Sequence, residues 1–256
     1  MLVSAHRGGP GPGFPDNALS TFERAVGFGP MLIELDVRRT ADGQLVILHD
    51  EDVGLRTNGA GRAGTLSLDS LQRLRLRDDN GTLTASRVPS LVEALTWARG
   101  RAVLRLDVKS GVSPADIVAT LAAEQAFDRT MAIARSIEEV EVYHRLAPEL
   151  MLSVWFDPDR NGRLSPDELP RLLVLPIDRR RVVVGVGSVR DGWDRGVLDS
   201  LRAHGIRGMV STFGAVDSLA LATGAWQPYC QFVSARVGVL ITDAAEAVAR
   251  AARDCR

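Results

Sequence analysis

Apolar, strand-like runs alternate with helix-like segments along almost the whole of this 256-residue chain. The runs are rich in residues that favour pleated sheets, and the segments between them show helical periodicity. Strands that alternate with helices pair in parallel, because a parallel connection needs a crossover and a helix usually supplies it. About eight strand–helix units in roughly 250 residues have the size of a closed (β/α)8 TIM barrel, an α/β fold. We therefore predict this barrel.

The rival fold is a doubly wound open sheet. Open sheets that bind dinucleotides carry a G-x-G-x-x-G loop between the first strand and a helix. The corresponding loop here, residues 8–15, contains prolines where that helix should begin, so the sequence disfavours a dinucleotide site. We predict a single domain over residues 1–256, with a small insertion after the second βα unit at about residues 51–87, where the sequence is polar and rich in turn residues.

Composition argues against several classes of protein. The formal net charge is -1 at pH 7 and the arginines are scattered, so we expect no nucleic-acid partner. Cys230 and Cys255 lie outside any CxxC or Cys/His spacing, so the sequence suggests neither a disulfide framework nor a zinc site, and a reducing cytoplasm fits. No apolar run approaches membrane-spanning length and no signal peptide is evident, which predicts a cytoplasmic protein without stable membrane insertion.

Ionisable residues lie at the ends of the predicted strands in the first fifth of the chain, namely His6, Glu34, Asp36 and His49. Groups this costly to desolvate do not belong in such strands without a purpose. Because side chains alternate along a strand, Glu34 and Asp36 must point to the same face. Two carboxylates held this close repel each other unless a cation or proton lies between them, which predicts a divalent ion such as magnesium or calcium. The alternative for the pair is an exposed position on an edge strand.

A later strand-like run ends at Lys109, which is the only lysine in the chain. Asp107 precedes it by two residues, on the same face, and offers a third oxygen ligand beside a cation suited to phosphate. The alternative for Lys109 is an ordinary surface position. Because the strands of a barrel end at one rim, we expect a common set of side chains to converge there. The set comprises His6, Glu34, Asp36, His49, Asp107 and Lys109.

At these residues the sequence resembles the glycerophosphodiester phosphodiesterase family, and the resemblance covers nearly the whole chain. The motifs that carry it are His6-Arg7-Gly8, Pro15-Asp-Asn17, Glu34-Leu-Asp36, Thr40-Ala-Asp-Gly43, His49-Asp50, Arg56-Thr-Asn-Gly59, Val88-Pro-Ser-Leu91, Leu106-Asp-Val-Lys109 and Ile241-Thr-Asp243. The resemblance implies a TIM barrel with a small insertion. It also implies metal-dependent hydrolysis of glycerophosphodiesters, which are small-molecule phosphodiesters, to an alcohol and sn-glycerol 3-phosphate.

The resemblance further implies a role for each residue. Metal ligands would be Glu34, Asp36 and Asp107, holding one divalent cation, either Mg²⁺ or Ca²⁺. His6 and His49 would act as general acid and base, in an order that the sequence leaves open. Arg7 and Lys109 would bind the phosphate. Direct attack by water and prior attack by the glycerol hydroxyl, which gives a cyclic phosphate, are both open routes.

Two alternatives to this function stand. Asp107 occupies a position where these phosphodiesterases usually carry Glu, and an Asp there is similar to the related sphingomyelinase D enzymes. That similarity makes a phospholipase D-like hydrolase of lysophospholipid or sphingolipid the alternative enzyme. From another class comes a non-catalytic barrel that binds calcium or a phosphorylated ligand.

The stretch from Asp157 to Glu168 matches the EF-hand calcium loop, with oxygen-bearing side chains at positions 1, 3, 5 and 12. An EF-hand needs an entering helix, whereas this loop follows a predicted strand. We therefore interpret it as a solvated turn that leads into a helix capped by Ser165. A second, structural calcium ion in this EF-hand-like loop is the alternative.

Overall fold

The structure is a computed structural model that describes residues 1–156 and 168–255. Its strands are β1 Leu2–Ala5, β2 Met31–Arg39, β3 Leu45–Ile47, β4 Arg75–Arg77, β5 Leu83–Arg87, β6 Val103–Val108, β7 Thr130–Ala134, β8 Met151–Val154, β9 Val182–Ser188, β10 Gly192–Trp193, β11 Arg207–Ser211 and β12 Val239–Thr242. Its helices are α1 Leu19–Val26, α2 Leu68–Gln72, α3 Leu91–Ala98, α4 Pro114–Ala123, α5 Ile137–Leu146, α6 Glu168–Val174, α7 Arg195–Ala203, α8 Ala215–Thr223, α9 Cys230–Ser234 and α10 Ala245–Asp254. The predicted alternation of strands and helices is confirmed.

The chain divides into two compact units. The N-terminal unit is Ala5–Arg129, and the C-terminal unit is Met1–Ser4 together with Thr130–Arg256. Each unit has its own parallel strands and its own buried apolar side chains. The single domain expected from the sequence stays a prediction.

The N-terminal unit is built around β2. This strand pairs in parallel with β6 and antiparallel with β3, with which it forms a hairpin. The first seven residues of β2 are buried, as expected of a strand whose two faces are both covered. Helix α3 begins with a capping box, in which Ser90 and Glu93 satisfy each other's backbone N–H groups, so this end of the helix is well defined.

The predicted insertion follows β3 and contains α2 and the two-stranded hairpin of β4 and β5. Ser67 caps the short helix α2. The sequence analysis did not predict the hairpin, because its strands are short and polar. An apolar cluster attaches the insertion to the rest of the unit. Its buried members are Ala18, Val46, Leu48, Val53, Ala63, Leu71, Leu76 and Val88.

In the C-terminal unit the parallel strands lie in the order β12, β11, β9, β8 and β7, and β1 joins β12 through the Leu2 N–H and the Gly238 carbonyl. Strand β10, which the sequence did not predict, pairs antiparallel with the end of β9. Apart from Glu168 at the start of α6, the EF-hand-like loop lies outside the described residues. Among the described helices, none combines the length and apolar character that crossing a bilayer requires.

The two cysteines form a disulfide, which corrects the expectation from their spacing. Cys230 begins α9 and Cys255 follows α10, and their Cα atoms are 5.3 Å apart. The pairing arises because these two helices pack together, and a separation of 25 residues carries no such signal. Since disulfides persist mainly in oxidising compartments, the argument from reduced cysteines is lost and the cytoplasmic location stays a prediction.

We expect Cys255→Ser to lower the free energy of unfolding by about 3 kcal/mol, because the bond constrains the unfolded chain over the intervening residues. Urea denaturation of the oxidised parent and the variant measures the difference. A reducing agent should shift the parent to the same extent and leave the variant unchanged. Equal denaturation midpoints for oxidised parent and variant would contradict the expectation.

Candidate active site

Three carboxylates share one face of the paired strands β2 and β6. Glu34 and Asp36 are two residues apart on β2, and Asp107 on β6 lies opposite Asp36 in the strand register. Each of the three offers an oxygen within 4.8 Å of the others. Side chains two positions apart on a strand point to the same face, and so do side chains at paired positions of neighbouring strands. The predicted convergence of these acidic residues is therefore observed.

The donor set suits a divalent cation. Glu34 and Asp36 are buried, at 3% and 1% exposure. Burial and the nearby charge of Asp36 raise the pKa of Glu34 from 4.5 to about 7. A nearby positive charge stabilises the ionised form of a carboxylate that is buried beside another carboxylate. Carboxylate oxygens are also the ligands that magnesium and calcium prefer. The acidic cluster could bind such an ion.

Asp36 is also held by an amide and an ammonium group. The Asn17 side chain donates from Nδ2 to Asp36 Oδ2 at 2.7 Å and accepts from the Asp36 backbone N–H at 3.0 Å. Lys109 Nζ lies 2.6 Å from Asp36 Oδ1 and 2.8 Å from Asp107 Oδ2. Burial by itself would raise the pKa of Asp36, but Lys109 and Asn17 outweigh it and lower the pKa. Asp36 thus stays ionised.

Residues His6–Gly8 form a tight turn after β1 that brings Arg7 to these carboxylates. The Arg7 backbone N–H donates to Glu34 Oε2 at 2.7 Å. Its guanidinium donates to Asp16 at 3.2 Å and lies 3.6 Å from Asp36. Gly8 has a φ of 87°, and a side chain there would collide with the Phe22 ring, so the turn requires glycine.

Each histidine lies within electrostatic range of one carboxylate. His6 offsets a small part of the rise in the pKa of Glu34, and His49 adds to the lowering of the pKa of Asp36. The His49 ring nitrogen Nδ1 lies 2.9 Å from Asp50 Oδ1, an arrangement that orients the imidazole. Its backbone carbonyl accepts hydrogen bonds from Arg38 at 2.9 and 2.6 Å. Hydrogen bonds therefore hold both the side chain and the backbone of His49.

Several contributors escaped the sequence reasoning. Asn17 is of a residue type that often caps helices, but α1 begins at Leu19 without a side-chain cap, and Asn17 binds Asp36 instead. Its φ of 58°, a conformation that Asn tolerates, allows this. Asp16, Arg38 and Asp50 had no assigned role. Asp16 and Asn17 belong to the Pro15-Asp-Asn17 motif of the family resemblance, and membership of that motif was the one sequence signal that they contribute to the site.

Cation binding should depend on pH through Glu34. Its raised pKa means that the folded, metal-free protein gains stability from the bound proton below about pH 4.5 and loses it as pH rises through about 7. A cation must displace that proton. We therefore expect Ca²⁺ or Mg²⁺ to raise the melting temperature more at about pH 8 than at about pH 5.

The measurement is a thermal melt at both pH values, with each cation and with EDTA. Lys109 and Asn17 lower the pKa of Asp36 from its ordinary value, so Asp36 stays ionised at both pH values and does not interfere. Glu34→Gln is the matched control, because it removes the titrating group at nearly constant shape. An equal cation effect at both pH values in the parent would contradict the prediction.

The model of the glycerophosphoryl diester phosphodiesterase family matches residues 6–172 of this chain. Among curated proteins, the chain is 37% identical over 113 residues to a glycerophosphodiester phosphodiesterase of Caldanaerobacter subterraneus subsp. tengcongensis, covering 43% of this chain and 46% of that protein. The matches to the first curated relatives thus span about half of their length.

Solved structures resemble the whole chain. A glycerophosphoryl diester phosphodiesterase from Parabacteroides distasonis covers 98% of this chain and 85% of its own, at 28% identity and a TM-score of 0.86. An Oleispira antarctica phosphodiesterase, in complex with the product sn-glycerol-3-phosphate, covers 98% and 96% at 19% identity and a TM-score of 0.73. The predicted (β/α)8 barrel fold is confirmed.

Proposed function

The chain belongs to the glycerophosphoryl diester phosphodiesterase family, and we propose that it hydrolyses glycerophosphodiesters to an alcohol and sn-glycerol 3-phosphate. The observation that carries the proposal is the cluster of three carboxylates beside Arg7 and Lys109. The names of the matched relatives and the product in the Oleispira antarctica structure support the same substrate class.

Glu34, Asp36 and Asp107 are the proposed ligands of one divalent cation, Mg²⁺ or Ca²⁺. When bound, such an ion neutralises phosphate charge and polarises a phosphoryl oxygen. Asp107 is one methylene shorter than Glu, yet the register with Asp36 brings its carboxylate into the cluster. Lys109 bridges Asp36 and Asp107, so the protein side of the site already balances part of its negative charge.

Arg7 and Lys109 are the proposed phosphate-binding residues. Arg7 presents a planar fork of donors that matches a phosphate, while Lys109 presents a compact charge. Both are held by carboxylates, and their side chains are 18% and 17% exposed. Cationic side chains that are held in place and largely shielded from water stabilise the charge that develops on phosphoryl oxygens more strongly than mobile side chains do.

His6 and His49 are the proposed acid–base pair. One histidine removes a proton from the attacking oxygen and the other protonates the departing alcohol. In His49, Nδ1 faces Asp50, so Nε2 is the nitrogen that can exchange a proton with substrate. Asp50 orients the His49 imidazole, as carboxylate partners of catalytic histidines do.

Turnover of glycerophosphocholine tests the function. We expect sn-glycerol 3-phosphate, followed by ³¹P NMR, in the presence of Mg²⁺ or Ca²⁺ and none after EDTA treatment, with recovery when the ion is restored. Micellar lysophosphatidylcholine tests the phospholipase D-like alternative in parallel. Exclusive cleavage of the lysolipid would reject the glycerophosphodiester assignment, and inactivity with every cation on both substrates would favour a binding protein.

A further inference from the structure

The insertion contributes an arginine that lies among three carboxylates. Arg56 belongs to the Arg56-Thr-Asn-Gly59 motif, for which the proposed chemistry has no role. Its Nε is 3.6 Å from Asp16 Oδ2 and 3.7 Å from Asp50 Oδ2. Its Nη1 donates to Asp79 at 2.9 Å. The Arg56 side chain is 28% exposed, so its charge is only partly screened by water.

The first of these contacts leads to Arg7. The oxygen of Asp16 that faces Arg56 also accepts the hydrogen bond from Arg7. Asp16 is 1% exposed, and a buried carboxylate is costly unless cations compensate it. Burial raises the pKa of Asp16 above its ordinary value, and Arg56 and Arg7 each offset part of that rise. Arg56 therefore helps to keep Asp16 as an anion that can orient the Arg7 guanidinium.

The second contact leads to His49. Asp50 directs one oxygen to His49 Nδ1 at 2.9 Å and its other oxygen to Arg56. A carboxylate held at both oxygens cannot rotate freely, so the imidazole that it orients is also restricted. One guanidinium thus acts on both a phosphate-binding residue and a histidine of the acid–base pair.

The insertion is attached to the same region at another point. Asp78, which precedes the Asp79 partner of Arg56, accepts a hydrogen bond from the Gly13 backbone N–H at 2.8 Å. Gly13 lies in the loop of residues 8–15 that connects Arg7 to Asp16. The insertion therefore holds both the backbone of this loop and the carboxylate at its end.

We propose that Arg56 is a positioning residue that aligns Arg7 through Asp16 and His49 through Asp50, so that the insertion contributes this one arginine to the alignment of the catalytic groups. The inference rests on the proposed function. Arg56 acts through other residues and transfers no proton itself.

The test compares Arg56→Met and Arg56→Lys with the parent. We expect Arg56→Met to lower kcat/KM for glycerophosphocholine about 100-fold, because small misplacements of catalytic groups cost this much. Both kcat and KM should change, since Arg56→Met affects the orientation of His49 through Asp50 and that of Arg7 through Asp16. Arg56→Lys should recover part of the loss, because an ammonium can lie between Asp16 and Asp50 but cannot also form the contact with Asp79.

Arg75→Met is the matched control. Arg75 is an exposed arginine of the same insertion whose side chain donates to the Thr84 carbonyl, and we expect its loss to leave both kinetic constants unchanged. A double-mutant cycle adds a stricter test. If Arg56 acts on His49 through Asp50, Asp50→Asn should lower kcat in the parent and have little further effect in Arg56→Met.

Binding of inorganic phosphate, measured by calorimetry, does not depend on turnover. Arg56→Met should weaken it about 10-fold through the displaced Arg7. If the parent proves inactive, the proposed function fails while this measurement still decides the role of Arg56. Unchanged phosphate affinity, unchanged kinetic constants, additive effects with Asp50→Asn, or Arg56→Lys no better than Arg56→Met would each overturn the proposal.

Discussion

Asp36→Asn should lower kcat/KM by roughly 1000-fold, a loss typical of removing a main electrostatic group from a preorganised site. Asp36 combines three functions, because it is a proposed cation ligand, it binds Lys109 at 2.6 Å and it contacts Arg7 at 3.6 Å. Asparagine keeps the shape and can still bond to Asn17, so the change isolates the charge.

Two measurements separate this effect from misfolding. In EDTA, the melting temperature of Asp36→Asn reports whether the fold survives. With Ca²⁺ or Mg²⁺, the parent should gain stability and the variant should gain little, since a ligand has been lost. Asp69→Asn is the control, because Asp69 is an exposed residue of α2. A variant that retained both cation-dependent stabilisation and full activity would refute the assignment of Asp36.

His6→Ala and His49→Ala should each lower kcat by about 10² to 10⁴-fold, the usual contribution of a general acid or base. Neither histidine is a proposed cation ligand, so cation-dependent stabilisation should persist in both variants. That combination distinguishes acid–base residues from ligands. Full activity of either variant would remove that residue from the pair. His204→Ala, at the exposed end of α7, should behave like the parent.

A substrate with an activated leaving group can assign the two roles. A p-nitrophenyl ester of glycerol 3-phosphate needs little protonation of its leaving group, because p-nitrophenolate is a stable anion. The variant that lacks the general acid should recover most of its activity on this substrate, and the variant that lacks the base should not. Equal recovery of both variants would contradict a division of labour between His6 and His49.

The acidic cluster shows how far sequence reasoning reached. Two-residue spacing placed Glu34 and Asp36 on one face, since alternation is a local property of any strand. The prediction that Asp107 joins Glu34 and Asp36 depended on the barrel hypothesis, because the strands of a barrel end at one rim. The register that sets Asp107 opposite Asp36 depends on how two distant strands pair, and no local pattern specifies it.

Other features were missed for the same reason. Asn17 is a residue type that often caps helices. Its side-chain amide binds Asp36 instead because β2 packs beside it in the folded protein. The disulfide between Cys230 and Cys255 depends on the packing of α9 and α10. Arg56 was visible as part of a motif, yet its contacts with Asp16 and Asp50 exist only once the insertion folds against the rest of the N-terminal unit.

The sequence by itself determined the alternation of strands and helices, the site of the insertion and the identity of the charged residues at strand ends. These follow from periodicity and capping, which act over a few neighbouring residues. Tertiary structure alone decided which carboxylate faces Lys109, which acidic residue orients each basic one and which cysteines meet. Electrostatic and hydrogen-bonding partners are chosen by distances of a few ångströms in space, and such distances arise between residues that lie far apart along the chain.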